Sequence, residues 1–499
     1  MWVFDLLHCS DWIDIKSFFI FSSIFLLLTD YFRNQVPKNF PPGPWPLPFI
    51  GNLYHISLKK IHIQFAEFAE KYGSIFSVRI FGQKVVVLNG HKVVKEAFIQ
   101  QGDNFADRPS LPIFEDVFGN KGVVISNGYS WKQQRRFALS TLRGFGVGKK
   151  SLEPSIQLEC RMLNEAVSNE QGRPFDFQIL INNAVSNVIC VLVFGDRFEY
   201  SDSKFQDLLK MINEAIYEEG SLWAQMYNVF PWIMRRVPGP HRKIFAHWNK
   251  VTDFIRIKIK EHRTDCDPTS PRDYIDCFLG EMEKWKDDEA AGFNIENLCF
   301  CTLDLFVAGS ETTSTTLYWG LLYMIKYPEI QAKVQAEIDR VVGSSRQPSV
   351  ADRENLPYTD AVIHEIQRFG NIIPLNVGRS ATKDTKLGEY VIPKGTMVIG
   401  SLTSVLFDKT EWETPHTFNP GHFLDAEGNF QRRDAFLPFS TGKRVCLGEQ
   451  LARMELFLFF TSLLQHFTFS APPGVEPTLK YKMGLTHSPM PYKVCAVPR

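Results

Sequence analysis

The chain has 499 residues, with 55 basic and 55 acidic side chains and a formal net charge of +0. That balance excludes an overall nucleic-acid binder and an acidic tail, and the length buries a large core without fixing the number of domains. The nine cysteines (Cys9, Cys160, Cys190, Cys266, Cys277, Cys299, Cys301, Cys446 and Cys495) are scattered and odd in number, with no C-x-x-C pair, which points away from a disulfide framework and from a zinc site.

In chain order, Ser17 to Thr29 is an uncharged run of 13 residues rich in Phe, Ile and Leu, where a full membrane span takes about 20. Asp5, Asp11 and Asp14 precede it, and Arg33 and Lys38 follow. A cleaved signal wants a basic start and a small-residue cleavage site. A core helix suits a terminus before a proline strip poorly. A signal-anchor with snorkelling flanks fits best, with the rest of the chain on the cytosolic side by the positive-inside rule. Residues 1–34 are therefore assigned to a membrane anchor and 35–50 to a hinge, stiffened by Pro41-Pro42-Gly43-Pro44-Trp45-Pro46-Leu47-Pro48. Residues 51–499 form one large domain. In it, Ile75 to Ile80 and Val85 to Leu88 read as a hairpin around Phe81 to Lys84. Helical periodicity dominates from about residue 90 to 370, with polar breaks near Ser201 to Ser203, His262 to Arg272 and Gly343 to Asn355, and short strands return between Gly378 and Ile399. The class is mainly α with small β-sheets.

Chemistry-bearing motifs punctuate this plan. Trp131-Lys132-Gln133-Gln134-Arg135 puts two donors, an indole N–H and a guanidinium, at i,i+4 on one helix face, suited to carboxylates or simply to a solvated surface. Gly144-Phe145-Gly146-Val147-Gly148-Lys149 lacks the phosphate-loop spacing and has no clear strand before it. A long helix over Ile295 to Tyr327 carries Ala308-Gly309-Ser310-Glu311-Thr312-Thr313. There small residues open one face, and an acid and an alcohol interrupt an apolar helix; Thr312 bonding back to a carbonyl is the plainer alternative. Cys299 and Cys301 on that helix read as buried thiols. Glu365-Ile366-Gln367-Arg368 pairs acid and base at i,i+3, weak evidence taken alone. Finally Phe439-Ser440-Thr441-Gly442-Lys443-Arg444-Val445-Cys446-Leu447-Gly448 sets a cysteine in a loop turned by Gly442 and Gly448. Arg444 stands two residues away, and the helix from Glu449 to Phe467 presents its N-terminus. All three features favour a thiolate, a ligand for a soft or borderline metal.

The last pattern resembles the haem-binding loop of the cytochromes P450, F-x-x-G-x-R-x-C-x-G, at all its defining positions. The A/G-G-x-D/E-T-T/S, E-x-x-R and W-x-x-x-R elements occur in that family's order, and the proline strip resembles the hinge of its microsomal members. Pro-Lys-Asn-Phe-Pro-Pro-Gly-Pro-Trp, Trp-Lys-Gln-Gln-Arg-Arg-Phe and Gly-Glu-Gln-Leu-Ala-Arg look like microsomal family 2, subfamily J. The resemblance implies the cytochrome P450 fold and haem b ligated by Cys446. It implies propionates held by Trp131, Arg135, Arg379 and Arg444 within a cradle including Phe439, Gly442 and Gly448. Proton delivery by Thr312 and Glu311 follows, with a structural triad of Glu365, Arg368 and His422, the last replacing a common Arg; Gly378 replaces a usual proline before Arg379. It places Phe306, Ala308, Ile373, Val377 and Leu485 near a lipophilic substrate, with polyunsaturated fatty acids and xenobiotics as the expected classes. No dinucleotide fingerprint occurs in the chain. Electrons are therefore expected from NADPH-cytochrome P450 reductase, with a microsomal b-type cytochrome as a second donor, docking on Lys132, Arg136, Arg432, Arg433 and Lys443. The expected setting is the endoplasmic reticulum membrane, with the catalytic domain in the cytosol and no nucleic-acid partner. A reductase-independent peroxide isomerase and a haem-based sensor or carrier are the competing readings.

Overall fold

The computed structural model describes residues 15–80, 82–267 and 269–499. Asp5, Cys9, Asp11 and Asp14 of the anchor reading, and Phe81 of the hairpin, lie outside the described residues.

The apolar N-terminal run is helical, α1 (Ile15–Arg33), with Phe18, Phe19, Phe21, Phe25 and Phe32 all exposed. Asp30, just past the uncharged run, turns inward. It pairs with Arg79 at 3.1 Å and accepts from the Phe49 N–H at 3.2 Å. The proline strip that follows is docked rather than free: Ser77 donates through its N–H to Pro42 O and through its hydroxyl to Pro41 O, both at 2.7 Å.

Helix α2 (Ile61–Tyr72) leads into the hairpin of β1 (Ile75–Ile80) and β2 (Gln83–Leu88), paired antiparallel from Ile75–Leu88 to Ile80–Gln83. Short helices α3 (His91–Lys95) and α4 (Pro112–Phe118) precede α5 (Gly128–Gly144), α6 (Glu153–Ser168) and α7 (Phe177–Phe194). The glycine cluster at 144–149 is the turn that ends α5, with Gly146 and Gly148 at φ 95° and 77°; a helix, not a strand, precedes it. Next come α8 (Ser203–Glu219), α9 (Leu222–Val229), α10 (Pro231–Met234), α11 (His241–Asp265) and α12 (Tyr274–Lys284). The predicted break at His262 is still helical, because His262 is buried and its ring bonds Asp273 at 2.7 Å.

The long helix is α13 (Ile295–Lys326). Asn294 caps it by accepting from the Asn297 N–H, and it ends just before Pro328. Its 32 residues span about 48 Å and are buried on nearly every side, as befits an interior helix. Cys299 and Cys301 are buried on it as expected. Then follow α14 (Pro328–Val341), α15 (Pro357–Gly370), β3 (Arg379–Ser380), β4 (Thr385–Leu387), β5 (Tyr390–Ile392), β6 (Met397–Gly400), α16 (Leu402–Leu406) and α17 (Glu449–His466). The chain closes with β7 (Phe467–Ser470), β8 (Tyr481–Met483), β9 (His487–Pro489) and β10 (Cys495–Pro498).

One four-stranded sheet, ordered β1-β2-β6-β3, and three two-stranded ladders lie against this helical mass, so the mainly α expectation holds. The principal core joins α6, α7, α11, α13 and α17, and α13 and α17 form two walls of the site.

Candidate active site

A cavity of about 260 Å³ opens between α13, the loop at 438–448 and the start of α17. The loop is held in shape by its own backbone. The Cys446 N–H donates to Phe439 O at 3.0 Å, Ser440 and Gly442 lie at φ 62° and 75°, and a Cβ on Gly442 would sit 1.7 Å from Phe98 O. Glycine at 442 is thus required twice over, by conformation and by contact. Gly448 differs from expectation: its φ of −89° suits any residue, and the nearest atom to an added Cβ is the cysteine sulfur at 3.9 Å. Its smallness preserves room beside the sulfur rather than making the turn.

Cys446 is exposed, but to the cavity, with protein on its other sides. Burial therefore pushes its thiol up, as does Glu449, while the N–H groups of Gly448 and Glu449 and the nearby Arg135 work the other way. The helix start does aim its N–H groups at the sulfur, but the full anion is what metal ligation itself supplies. Nor does Arg444 face the sulfur.

Arg444 instead joins a rim of cations. Its guanidinium donates to Ala106 O and Ser126 O, both at 2.7 Å, and lies 3.7 Å above the Trp131 ring. Arg379 stacks 3.7 Å over Phe98 and donates to Thr441 O at 2.6 Å. Arg135 donates to Val445 O. A fourth member, Arg108, was missed from sequence; it binds Val124 O at 2.9 Å and Val377 O at 2.7 Å. Burial, then mutual repulsion, pushes Arg444 down to about 8, Arg379 to about 9 and Arg108 to about 10. A guanidinium answers such a site by gaining an anion rather than by losing its proton. Among the described residues Trp131 Nε1 and Arg379 Nε and Nη1 are buried donors without acceptors. Unspent donors and clustered positive charge beside an apolar slot with a sulfur in its wall fit a dianionic, planar, metal-bearing group such as haem. Only the Asp-Arg-Pro triplet at 107–109 could have signalled Arg108, by its proline-stiffened loop.

Across the cavity stands α13. Ala308 and Thr312 line it one turn apart, and the Thr312 hydroxyl donates to Ala308 O at 2.8 Å, so the back-bonded form and the cavity-facing form are the same structure. Gly309 serves helix packing more than ligand approach, since a Cβ there would meet Ile189 Cδ1 at 2.5 Å. Glu311 lies outside the lining. Its carboxylate accepts from Thr315 at 3.2 Å and Thr486 at 3.0 Å, and burial pushes it up. Two acids unnoticed in sequence do line the cavity. Asp304 accepts from the N–H groups of Val123 and Val124 and is pushed by burial to about 7. Glu455 accepts from Thr313 at 3.2 Å through one oxygen while the other is buried without a partner.

Of the substrate-side residues, Ala308, Ile373 and Val377 line the cavity. Phe306 does not; it points into the core against Phe194, with ring centroids 5.5 Å apart. Leu485 is exposed on the β8–β9 turn, outside the lining.

Behind the loop, Glu365 and Arg368 form a two-pronged pair with both contacts at 2.7 Å, both side chains fully buried. Arg368 also donates to Leu406 O and Pro415 O. His422 completes the group. The Thr414 N–H donates to its Nε2, leaving Nδ1–H to donate to Glu365 at 3.2 Å.

This architecture, a cysteine loop beneath a long helix with a cationic rim, defines a haem-thiolate enzyme. The family model described as "Cytochrome P450" matches residues 41–496. Cytochrome P450 2J2 of Homo sapiens is 54% identical over 475 residues, covering 95% of this chain and 94% of that protein. Cytochrome P450 2J1 of Oryctolagus cuniculus is 51% identical over 484 residues (97% and 96%), and cytochrome P450 2C23 of Rattus norvegicus 48% over 477 (95% and 96%). The chain belongs to the cytochrome P450 family: it is a haem-thiolate monooxygenase, an oxidoreductase that places one atom of dioxygen in its substrate.

Proposed function

We propose that the protein is a membrane-anchored monooxygenase of lipophilic substrates, in which Cys446 would hold the haem iron and a separate reductase would supply electrons. The observation that carries this reading is the facing of Cys446 and Thr312 across one apolar cavity whose rim is cationic. Haem, when bound there, supplies oxygen activation and oxygen transfer. The chain supplies the rest. Trp131, Arg108, Arg135, Arg379 and Arg444 orient the cofactor by its propionates, spending the donors left over in the rim. Thr312, its proton given to Ala308 O, presents lone pairs to the cavity and can pass a proton on as that bond breaks. Glu311, held by Thr315 and Thr486 outside the lining, is a positioning residue that supports this turn of α13. Ile373, Val377 and Ala308 exclude water and select by shape; such walls discriminate by only about 1–3 kcal/mol per methylene. Several lipophilic substrates are therefore expected, polyunsaturated fatty acids and drug-like amines among them.

Lys132, Arg136 and Arg432 are exposed with no ion pair among the described residues, which suits an acidic partner such as NADPH-cytochrome P450 reductase or a microsomal b-type cytochrome. Arg433 and Lys443 are already paired, with Glu413 at 3.0 Å and Asp103 at 3.3 Å, and contribute less. The exposed apolar face of α1 supports insertion in a bilayer, here the endoplasmic reticulum with the body in the cytosol. Product analysis with reductase, NADPH and a fatty-acid panel tests the whole reading. Hydroxylated or epoxidised products that require both reductase and NADPH support it; conversion of peroxides without either contradicts it.

A further inference from the structure

Two histidines meet where α2 packs against the β8–β9 hairpin, away from the cavity lining. His62 is 6% exposed; its ring centroid lies 5.8 Å from that of His487, with 54° between the planes. Tyr481 contacts both rings, at 5.7 and 4.3 Å, and Trp319 stacks on His487 at 5.1 Å. One ring nitrogen of each, His62 Nδ1 and His487 Nε2, is buried without a hydrogen-bond partner among the described residues. A buried orphan of this kind is uncommon, and two adjacent ones call for a shared explanation.

The tautomer of His487 follows from its neighbour. Its Nδ1 lies 2.7 Å from Gly370 O, which can only accept, so Nδ1 carries the proton and the orphan Nε2 carries the lone pair. A carbonyl holding one imidazole nitrogen is how proteins orient a histidine whose other nitrogen binds a metal. Burial lowers both rings to about 4, so both stay unprotonated at neutral pH. Two imidazole nitrogens sharing one cation at about 2.0–2.1 Å each stand at most ~4 Å apart, a separation that rings centred 5.8 Å from each other can present. Among the described residues no carboxylate is bonded to either ring, which disfavours hard cations such as Ca²⁺ and Mg²⁺.

We propose that His62 and His487 form a binding site for a borderline divalent transition-metal cation of the Zn²⁺ class, with water completing its coordination. The cation ties α2 to the hairpin, whose Thr486 donates to Glu311 at 3.0 Å, so its binding is felt one residue from Thr312.

The test uses untagged, full-length holoenzyme titrated with Zn²⁺ against a chromophoric chelator. One site is expected in the unsubstituted protein, weakened at least about tenfold in both His62→Gln and His487→Gln, a loss that even an outer-shell change can reach. Zinc-edge X-ray absorption on the unsubstituted protein, which depends on no variant folding, should show imidazole nitrogens at about 2.0–2.1 Å and no sulfur near ~2.3 Å. Absence of a competing site, unchanged affinity in both variants, or sulfur-dominated ligation overturns the proposal.

Discussion

Thr312 bonds a backbone carbonyl and reaches the cavity, so a single substitution separates its role from the cofactor's. Thr312→Ala should keep its haem and divert electrons to peroxide, lowering product per NADPH; proton-delivery groups of this kind are worth about 10²–10⁴-fold in rate. Undiminished product per NADPH contradicts that role. Glu365 and Arg368 behave differently because both are sealed from water. Arg368→Ala strands a buried carboxylate and should cost roughly 3–5 kcal/mol, giving haem-free, aggregating protein rather than a slow enzyme; the check is haem content per chain after expression. Sequence disclosed which residue types carry the chemistry here but not their neighbours. The E-x-x-R spacing fits an exposed helix equally well, and burial with His422 and the carbonyls of Leu406 and Pro415 comes from segments 38 to 57 residues away.

At the scale of elements, the cysteine loop depends on Gly442 fitting under Phe98 O. Gly442→Ala needs both a positive φ and a shifted backbone, so loss of the haem Soret band is expected; normal haem occupancy in that variant contradicts the packing argument. The joint between α8 and α11 carries a pH signature. Glu219 accepts from Trp248 Nε1 at 2.7 Å, and burial pushes it up to about 8 from an ordinary value of 4.5. Between those two values the folded state holds a proton that the unfolded chain has released. Its stabilising contribution is therefore complete below 4.5 and is lost as pH rises toward 8. Melting temperatures of Glu219→Gln should accordingly fall less than those of the unsubstituted protein from pH 5 to 8; parallel profiles count against it. Helices α13 and α17 were legible to within a residue, because long apolar runs admit one reading. Strands β7, β8, β9 and β10 were not: each has three or four residues, and pairs such as Phe467–Pro498 join segments far apart in sequence. Arg108 and Glu455 escaped for a related reason, since their partners arrive from segments far off in the chain, Val377 O for the first and Thr313 for the second.

For the molecule as a whole, neutral net charge conceals an uneven surface. Lys132, Arg136 and Arg432 are exposed and unpaired among the described residues, so charge reversal at Lys132 and Arg136 should slow reductase-supported turnover, most at low salt. Turnover driven by an added organic peroxide, which needs no docking, should be unchanged. Equal loss in both assays contradicts a docking role. The junction of anchor and body was the least legible part. The proline strip reads from sequence as a stiff spacer between anchor and body, yet the Asp30–Arg79 pair and the Ser77 hydrogen bonds fasten this junction to β1. The determining contacts lie 35 to 49 residues downstream.

The most direct test of the account is the absorption spectrum of the dithionite-reduced, carbon-monoxide-treated protein beside that of Cys446→Ala. The Soret band that marks thiolate ligation should appear in the first and be lost in the second. The same band surviving in Cys446→Ala, or a histidine-type spectrum in the unsubstituted protein, contradicts it.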